Sequence, residues 1–165
     1  MPEKKWVFDS VSICNFLLSD SCFILENRYK GRAIISSQVY DEIAAGILHH
    51  PTLNKINDLI SKRIFEIYTL SEEERELYVK MSDHLCKGEA SSIAAAKIQS
   101  YIVVTDDRAA RKQCVKMNVL KTGSVGILKA DVLEGRITLK QADVILNKMI
   151  TAGFYSPVRR ISDIM

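Results

Sequence analysis

Tyr101-Ile-Val-Val-Thr-Asp-Asp107 is the stretch on which the fold turns. Its first four residues are aromatic or β-branched and read as a short buried strand. The run stops at a hydroxyl and two carboxylates, and Arg108 to Lys116 then reads as a helix. A strand leading directly into a helix is the repeating unit of an α/β fold, where ligands bind in the crevice outside the carboxyl ends of the strands. Carboxylates buried at such a place cost free energy unless they are paired or meet a cation. The rest of the chain bears on one question, which is whether other acids reach the same edge.

Working outward, Gly88 to Lys97 reads as a helix whose alanine run lets it lie close to a sheet, with Glu89 in its first turn, where a helix favours an anion. Beyond the central stretch, Val119 to Thr122 is a last strand ended by Gly123, and Val125 to Leu133 is helical. A final helix opens at Thr138 or Leu139 and runs through Ile150 on the stripe Ala142, Ile145, Leu146 and Met149. Toward the N-terminus, Trp6-Val-Phe-Asp9 is a first strand ending in an acid, and Ser10 is a candidate cap for a helix from Val11 to Leu18. Asp20 to Arg32 carries an apolar pattern at Phe23, Ile24 and Leu25 and then a polar turn region. Ala33 to Ser37 is a second strand. Gln38 to Ala45 is a helix with Val39 and Ile43 inward and Glu42 beside that face. Thr52 to Lys62 reads as one amphipathic helix, and Ile64 to Tyr68 as a strand suited to a sheet edge. Ser71-Glu-Glu-Glu74 is a capping box opening a helix to about Leu85, its three glutamates read as solvated charge.

This alternation predicts a three-layer α/β/α sandwich with a mostly parallel central sheet. Residues 1–165 read as one domain, with the helix and tail from about 138 as an extension. The hydrophobic fraction of 47% and charged fraction of 26% are those of an ordinary globular protein, and a net charge of +3 permits a nucleic-acid partner without demanding one. No apolar run reaches membrane-spanning length. Met1-Pro-Glu-Lys-Lys5 leads straight into a strand and makes a poor signal peptide, so a cytoplasmic protein is expected. Neither G-x-G-x-x-G nor a phosphate-binding G-x-x-x-x-G-K-[ST] loop occurs, which disfavours a nucleotide cofactor. Cys14, Cys22, Cys86 and Cys114 form no C-x-x-C pair and read as buried free thiols, and His49, His50 and His84 as polar surface groups.

Acids therefore end or open elements at Asp9, Glu42, Glu89, Asp106 and Asp107. Gathered in a dry cleft they would repel, and a divalent cation removes that penalty. Their hard oxygens select Mg2+ or Mn2+ over zinc. Bound near a phosphate, such a cation activates water and stabilises the leaving oxygen of a phosphodiester. With no histidine or cysteine placed as a nucleophile, metal-activated water is the simpler chemistry. Arg108, Arg111 and Lys112 begin beside these acids and are candidates to guide phosphate, the alternative being a solvated helix face. Tyr29, Tyr68 and Tyr155 read as core or rim side chains, with base stacking as the other possibility.

The segments Val7-Phe-Asp-Ser-Val-Ser12, Val39-Tyr-Asp-Glu-Ile43, Gly88-Glu-Ala-Ser-Ser-Ile-Ala-Ala-Ala96 and Val103-Val-Thr-Asp-Asp-Arg-Ala-Ala-Arg111 together resemble the PIN-domain nucleases. More narrowly they resemble the small prokaryotic toxin-type PIN proteins. Lys121 to Ala130, followed by Glu134-Gly-Arg136, looks like the tail of one subgroup. The resemblance implies single-stranded RNA cleavage by Mg2+ or Mn2+, commonly by a homodimer, and often as a toxin paired with a small antitoxin protein. It assigns acidic site positions to Asp9, Glu42, Glu89 and the Asp106–Asp107 pair. Of these it makes Asp9, Glu89 and at least one of Asp106 and Asp107 metal ligands. It makes Ser10 and Thr105 supporting hydroxyls. Where the subgroup often carries a further acid two residues after Glu89, this chain has Ser91. The other functions in view are a PIN-like nuclease of RNA processing or structured DNA, and a binding module without catalysis.

Overall fold

Three- and four-residue strands dominate the centre of the molecule, each too short to persist without neighbours on both faces. The computed structural model describes residues 4–165. Met1 to Glu3, part of the segment weighed above as a signal peptide, lie outside the described residues. In chain order the elements are β1 (Trp6–Phe8), α1 (Ser10–Leu18), α2 (Cys22–Tyr29), β2 (Ala33–Ser36), α3 (Ser37–Gly46), α4 (Lys55–Ser61) and β3 (Phe65–Tyr68). They continue with α5 (Glu72–Met81), α6 (Lys87–Gln99), β4 (Ile102–Val104), α7 (Arg108–Lys116), β5 (Lys121–Thr122), α8 (Ser124–Leu133) and α9 (Leu139–Thr151). Single 3-10 turns occupy Pro51–Asn54 and Ile161–Ile164.

The five strands form one sheet in the order β3-β2-β1-β4-β5, and every pairing is parallel. Val7 aligns with Ile34 on one side and Val103 on the other. Side chains alternate across a strand, so neighbours in sequence serve opposite layers. Phe8, Ile35, Phe65 and Val104 face a core shared with Ile13 and Leu17 of α1, Ile24 of α2, Ile43 of α3, Ile56 of α4, Leu128 of α8 and Leu146 of α9. Val7, Ile34 and Val103 face the other core, with Met81 of α5, Ala90, Ile93 and Ala94 of α6, and Cys114 of α7. This is the three-layer sandwich that the alternation predicts.

Chain order and sheet order part company once. From β1 the chain builds outward through β2 to β3, then returns to lay β4 on the other flank of β1 and β5 beyond it. The helices after β1 and β4 therefore leave in diverging directions, and a crevice opens at the carboxyl ends of these two strands. Asp9 follows β1 and Thr105-Asp106-Asp107 follows β4. Among the described residues, no helix is long and apolar enough to cross a membrane.

Several local readings are corrected. Asp9 rather than Ser10 caps α1. The segment after Asp20 is largely helical, and Tyr29 is buried edge-on against Phe8 at 5.0 Å. Pro51 opens a 3-10 turn, so the helix expected over 52–62 begins only at Lys55. α5 ends at Met81. Glu74, read as solvated, is completely buried. It accepts from the Tyr68 hydroxyl at 2.6 Å, the Gln99 amide at 2.8 Å and the Ser71 N–H at 3.1 Å. The capping box itself is present. Cys86 is exposed, whereas Cys114 is buried.

Candidate functional site

The floor of the crevice is Asp9. As N-cap of α1, its Oδ1 accepts from the Ser12 N–H at 2.8 Å. Its Oδ2 accepts a short hydrogen bond from the Thr105 hydroxyl across the strand boundary. The side chain is almost wholly out of water. Burial raises its pKa from 3.8 to about 6, and the charge of Asp106 adds to the rise, against the bonds from Thr105 and Ser12.

Asp106 stands beside it under four donors. Its Oδ2 accepts from the Ser124 hydroxyl at 2.5 Å, the Asn15 amide at 3.0 Å and the Ser12 hydroxyl at 3.2 Å. Its Oδ1 accepts from the Ser124 N–H at 2.8 Å. Ser12 thus serves both acids, Asp9 through its backbone and Asp106 through its hydroxyl. Gly123 makes the approach possible, because a Cβ there would lie 2.5 Å from Asp106 Oδ1.

The remaining acids gather on the other flank. Glu42, from α3, accepts from the Ser10 hydroxyl at 2.6 Å and the Gly88 N–H at 2.7 Å. It therefore sits at the positive N-terminal ends of both α1 and α6. Gly88 is again a residue of close approach, since a Cβ would fall 2.6 Å from Glu42 Oε2. Glu89 takes the Cys86 N–H on Oε2 at 3.2 Å. Its pKa is raised first by burial and also by the charges of Asp107 and Glu42. Asp107 caps α7, accepting from the Ala110 N–H at 2.8 Å, and its own N–H donates to Thr105 Oγ1 at 3.2 Å. Geometry thus separates the adjacent pair, with Asp106 in the network beside Asp9 and Asp107 capping α7 through Oδ2.

A family model described as a PIN domain matches residues 5–165. The chain belongs to the PIN-domain family. No curated protein matches it. PIN domains are generally nucleases and typically use divalent metal ions.

In this PIN domain the predicted acids share one edge but do not converge on a point. Among the described residues, no three acids, histidines or cysteines stand close enough to enclose a cation. Mg2+ does not require that. It keeps several waters and is commonly held by one or two carboxylates together with substrate phosphate, whereas a structural zinc site needs four protein ligands. The paired hard oxygens of Asp9 and Asp106 fit the first case in donor chemistry. Ser91 adds no charge. Its buried hydroxyl shares a hydrogen bond with Ser36 at 2.7 Å and donates to the Gly88 carbonyl at 3.0 Å.

Thr105 and Ser10 stand where supporting hydroxyls were expected, on Asp9 and Glu42 respectively. Ser12, Asn15 and Ser124 escaped the sequence reading although they hold Asp106. Their signal was polar groups at helical spacing on a buried face. Asn15 lies between Ile13, Phe16 and Leu17, where a lone amide needs a partner. Arg108, Arg111 and Lys112 line an open cleft of about 750 Å³ that Asp106 also borders. Arg111 Nη1 donates to the Thr105 carbonyl at 2.9 Å, which ties α7 to the end of β4.

Proposed function

We propose that this PIN-domain protein is a Mg2+- or Mn2+-dependent endoribonuclease, acting in the cytoplasm as the toxin of a toxin–antitoxin pair. The observation that carries the reading is the Asp9–Asp106 pair, two carboxylates brought together at the point where the sheet order reverses. Asp9 gives up its proton only near pH 6, and a cation beside it removes the cost of ionising both.

Asp9 and Asp106 would hold the metal, which when bound polarises the phosphate and lowers the pKa of a water. Thr105, Ser12, Asn15 and Ser124 fix the two carboxylates so that neither reorganises as substrate arrives. Glu89 has one carboxylate oxygen outside its capping bond and a raised pKa, which suits it to take a proton from the attacking water. Asp107 keeps α7 in place, and Arg108 and Lys112 draw the phosphate backbone toward the edge. Glu42 fixes the flank on which Glu89 sits.

Single-stranded RNA incubated with wild-type protein and Mn2+ or Mg2+ is expected to be cut. EDTA is expected to stop cutting, and Asp9→Asn or Asp106→Asn to slow it by about 100-fold or more. Equal cleavage by wild type and Asp9→Asn would sink the mechanism. For the toxin role, induced wild type arrests growth of a bacterial host while Asp9→Asn does not. A protein that cuts RNA but leaves growth untouched belongs instead to RNA processing.

A further inference from the structure

The cleft beside Asp106 carries more charge than the acids require. Lys121 of β5 joins Arg108, Arg111 and Lys112 of α7 along it. Among the described residues none of the four forms an ion pair. Arg111 and Lys121 are both near enough to Cys114 to pull its thiol down, against the burial that pushes it up to about 11. Like charges crowded in one cleft repel, and an anion lying among them relieves that cost.

The same cleft also has an aromatic lining. Phe154 and Tyr155 line it from the segment after α9. Phe154 packs against the main core, and its N–H donates to the Met149 carbonyl at 3.0 Å. A few residues on, the Ser156 hydroxyl donates to the Val158 carbonyl at 2.6 Å and Ile161 is fully buried. The segment is therefore anchored on both sides of Tyr155, yet that ring is 95% exposed. An exposed aromatic on an anchored segment, lining the same cleft as four cations outside any ion pair among the described residues, suits a flat anionic partner. An acidic peptide would satisfy the cations and leave the ring idle. A nucleotide uses both.

We propose that this cleft is a subsite for one unpaired nucleotide of the RNA, its base stacked on Tyr155 and its phosphate met by Arg108, Lys112 and Lys121. The proposal rests on the RNA reading above and extends it to substrate form. A base inside a duplex already has its faces covered, so only a single strand can offer one to Tyr155. The volume of about 750 Å³ suits a ligand of nucleotide size. Asp106 also lines this cleft, so the subsite adjoins the acids to which the neighbouring phosphate would be presented.

The test is binding in EDTA, where nothing is cut, of a fluorescent single-stranded decaribonucleotide and of a blunt RNA duplex of the same sequence. Tyr155→Ala is expected to weaken single-strand binding by about tenfold or more and leave duplex binding unchanged, while Tyr155→Phe binds like wild type. Lys121→Gln is expected to lower the salt slope of single-strand binding by about 0.7, and Lys140→Gln, on α9 away from the cleft, to leave it unchanged. Tyr155 contributes almost no buried surface, so its variants fold. Wild-type affinity in Tyr155→Ala, an equal loss on duplex, or an oligo-glutamate peptide bound as tightly and with the same Tyr155 dependence each overturns the subsite. Tyr155-dependent binding without cleavage in Mn2+ keeps the subsite and removes the nuclease. Cleavage with no Tyr155 dependence in binding does the reverse.

Discussion

Burial penalises the Asp9 anion more than the donors from Thr105 and Ser12 favour it, and this has a measurable sign. The unfolded chain loses the proton near pH 3.8, the folded chain near 6. Between those values the folded state binds more protons, so stability is greatest below the window and falls as pH rises through it. In EDTA, Asp9 is expected to remove about 3 kcal/mol of stability between pH 3.5 and 7. Denaturant titrations across that range read it as a slope missing from Asp9→Asn, and identical slopes would show that Asp9 titrates normally. At Gly123 the constraint is steric. Gly123→Ala is expected to push Asp106 off its Ser124 donors and cut metal-dependent cleavage by about tenfold or more, with a smaller change in melting temperature. The acids were legible in the sequence because charge at a strand end is conspicuous. Ser12, Asn15 and Ser124 were not, since polar groups on a buried helix face signal that a partner exists without naming the acid they serve. Which of Asp106 and Asp107 caps α7 and which joins the network beside Asp9 was hidden, because adjacent identical residues look alike in sequence.

Elements were readable in proportion to their periodicity and punctuation. The strand–helix unit around Thr105 and the capping box at Ser71 needed only local chemistry. α4 was blurred because Pro51 starts a 3-10 turn whose apolar spacing resembles a helix. The first turn of α5 misled for a different reason. Three consecutive glutamates look uniformly solvated, yet only Glu74 points back over the end of β3 toward Tyr68 and Gln99. Glu74→Ala leaves a hydroxyl, an amide and the Ser71 N–H without their acceptor, and is expected to cost roughly 3 kcal/mol. Urea unfolding measures this, with Glu73→Ala as the exposed comparison expected to change stability little. Equal effects at the two positions would mean that the buried network adds nothing beyond surface charge.

Across the whole molecule, alternation of strands and helices predicted layers and parallel pairing, and the reversal of strand order then decided where the crevice opened. Registers such as Val7 against both Ile34 and Val103 had no local signal, because they depend on how helices on two faces seat the strands. The same assembly sets a test of cation binding that needs no substrate. A ligand that binds only the folded chain stabilises it by mass action, by about 2.7 kcal/mol at 100 times its Kd. Mn2+ is expected to raise the melting temperature of wild type at pH 7.5, less so at pH 5, and not at all in an Asp9→Asn, Asp106→Asn double variant. An equal rise in that variant places the ion elsewhere. The donors around Asp106 come from Ser12, Asn15 and Ser124, so the two ends of one hydrogen-bond network are written far apart in the chain. A ribosome has therefore released everything from Ser12 through Ser124 before Ser124 can close on Asp106. During synthesis Asp106 emerges before two of its four donor bonds can exist, and only the chain through Ser124 completes them.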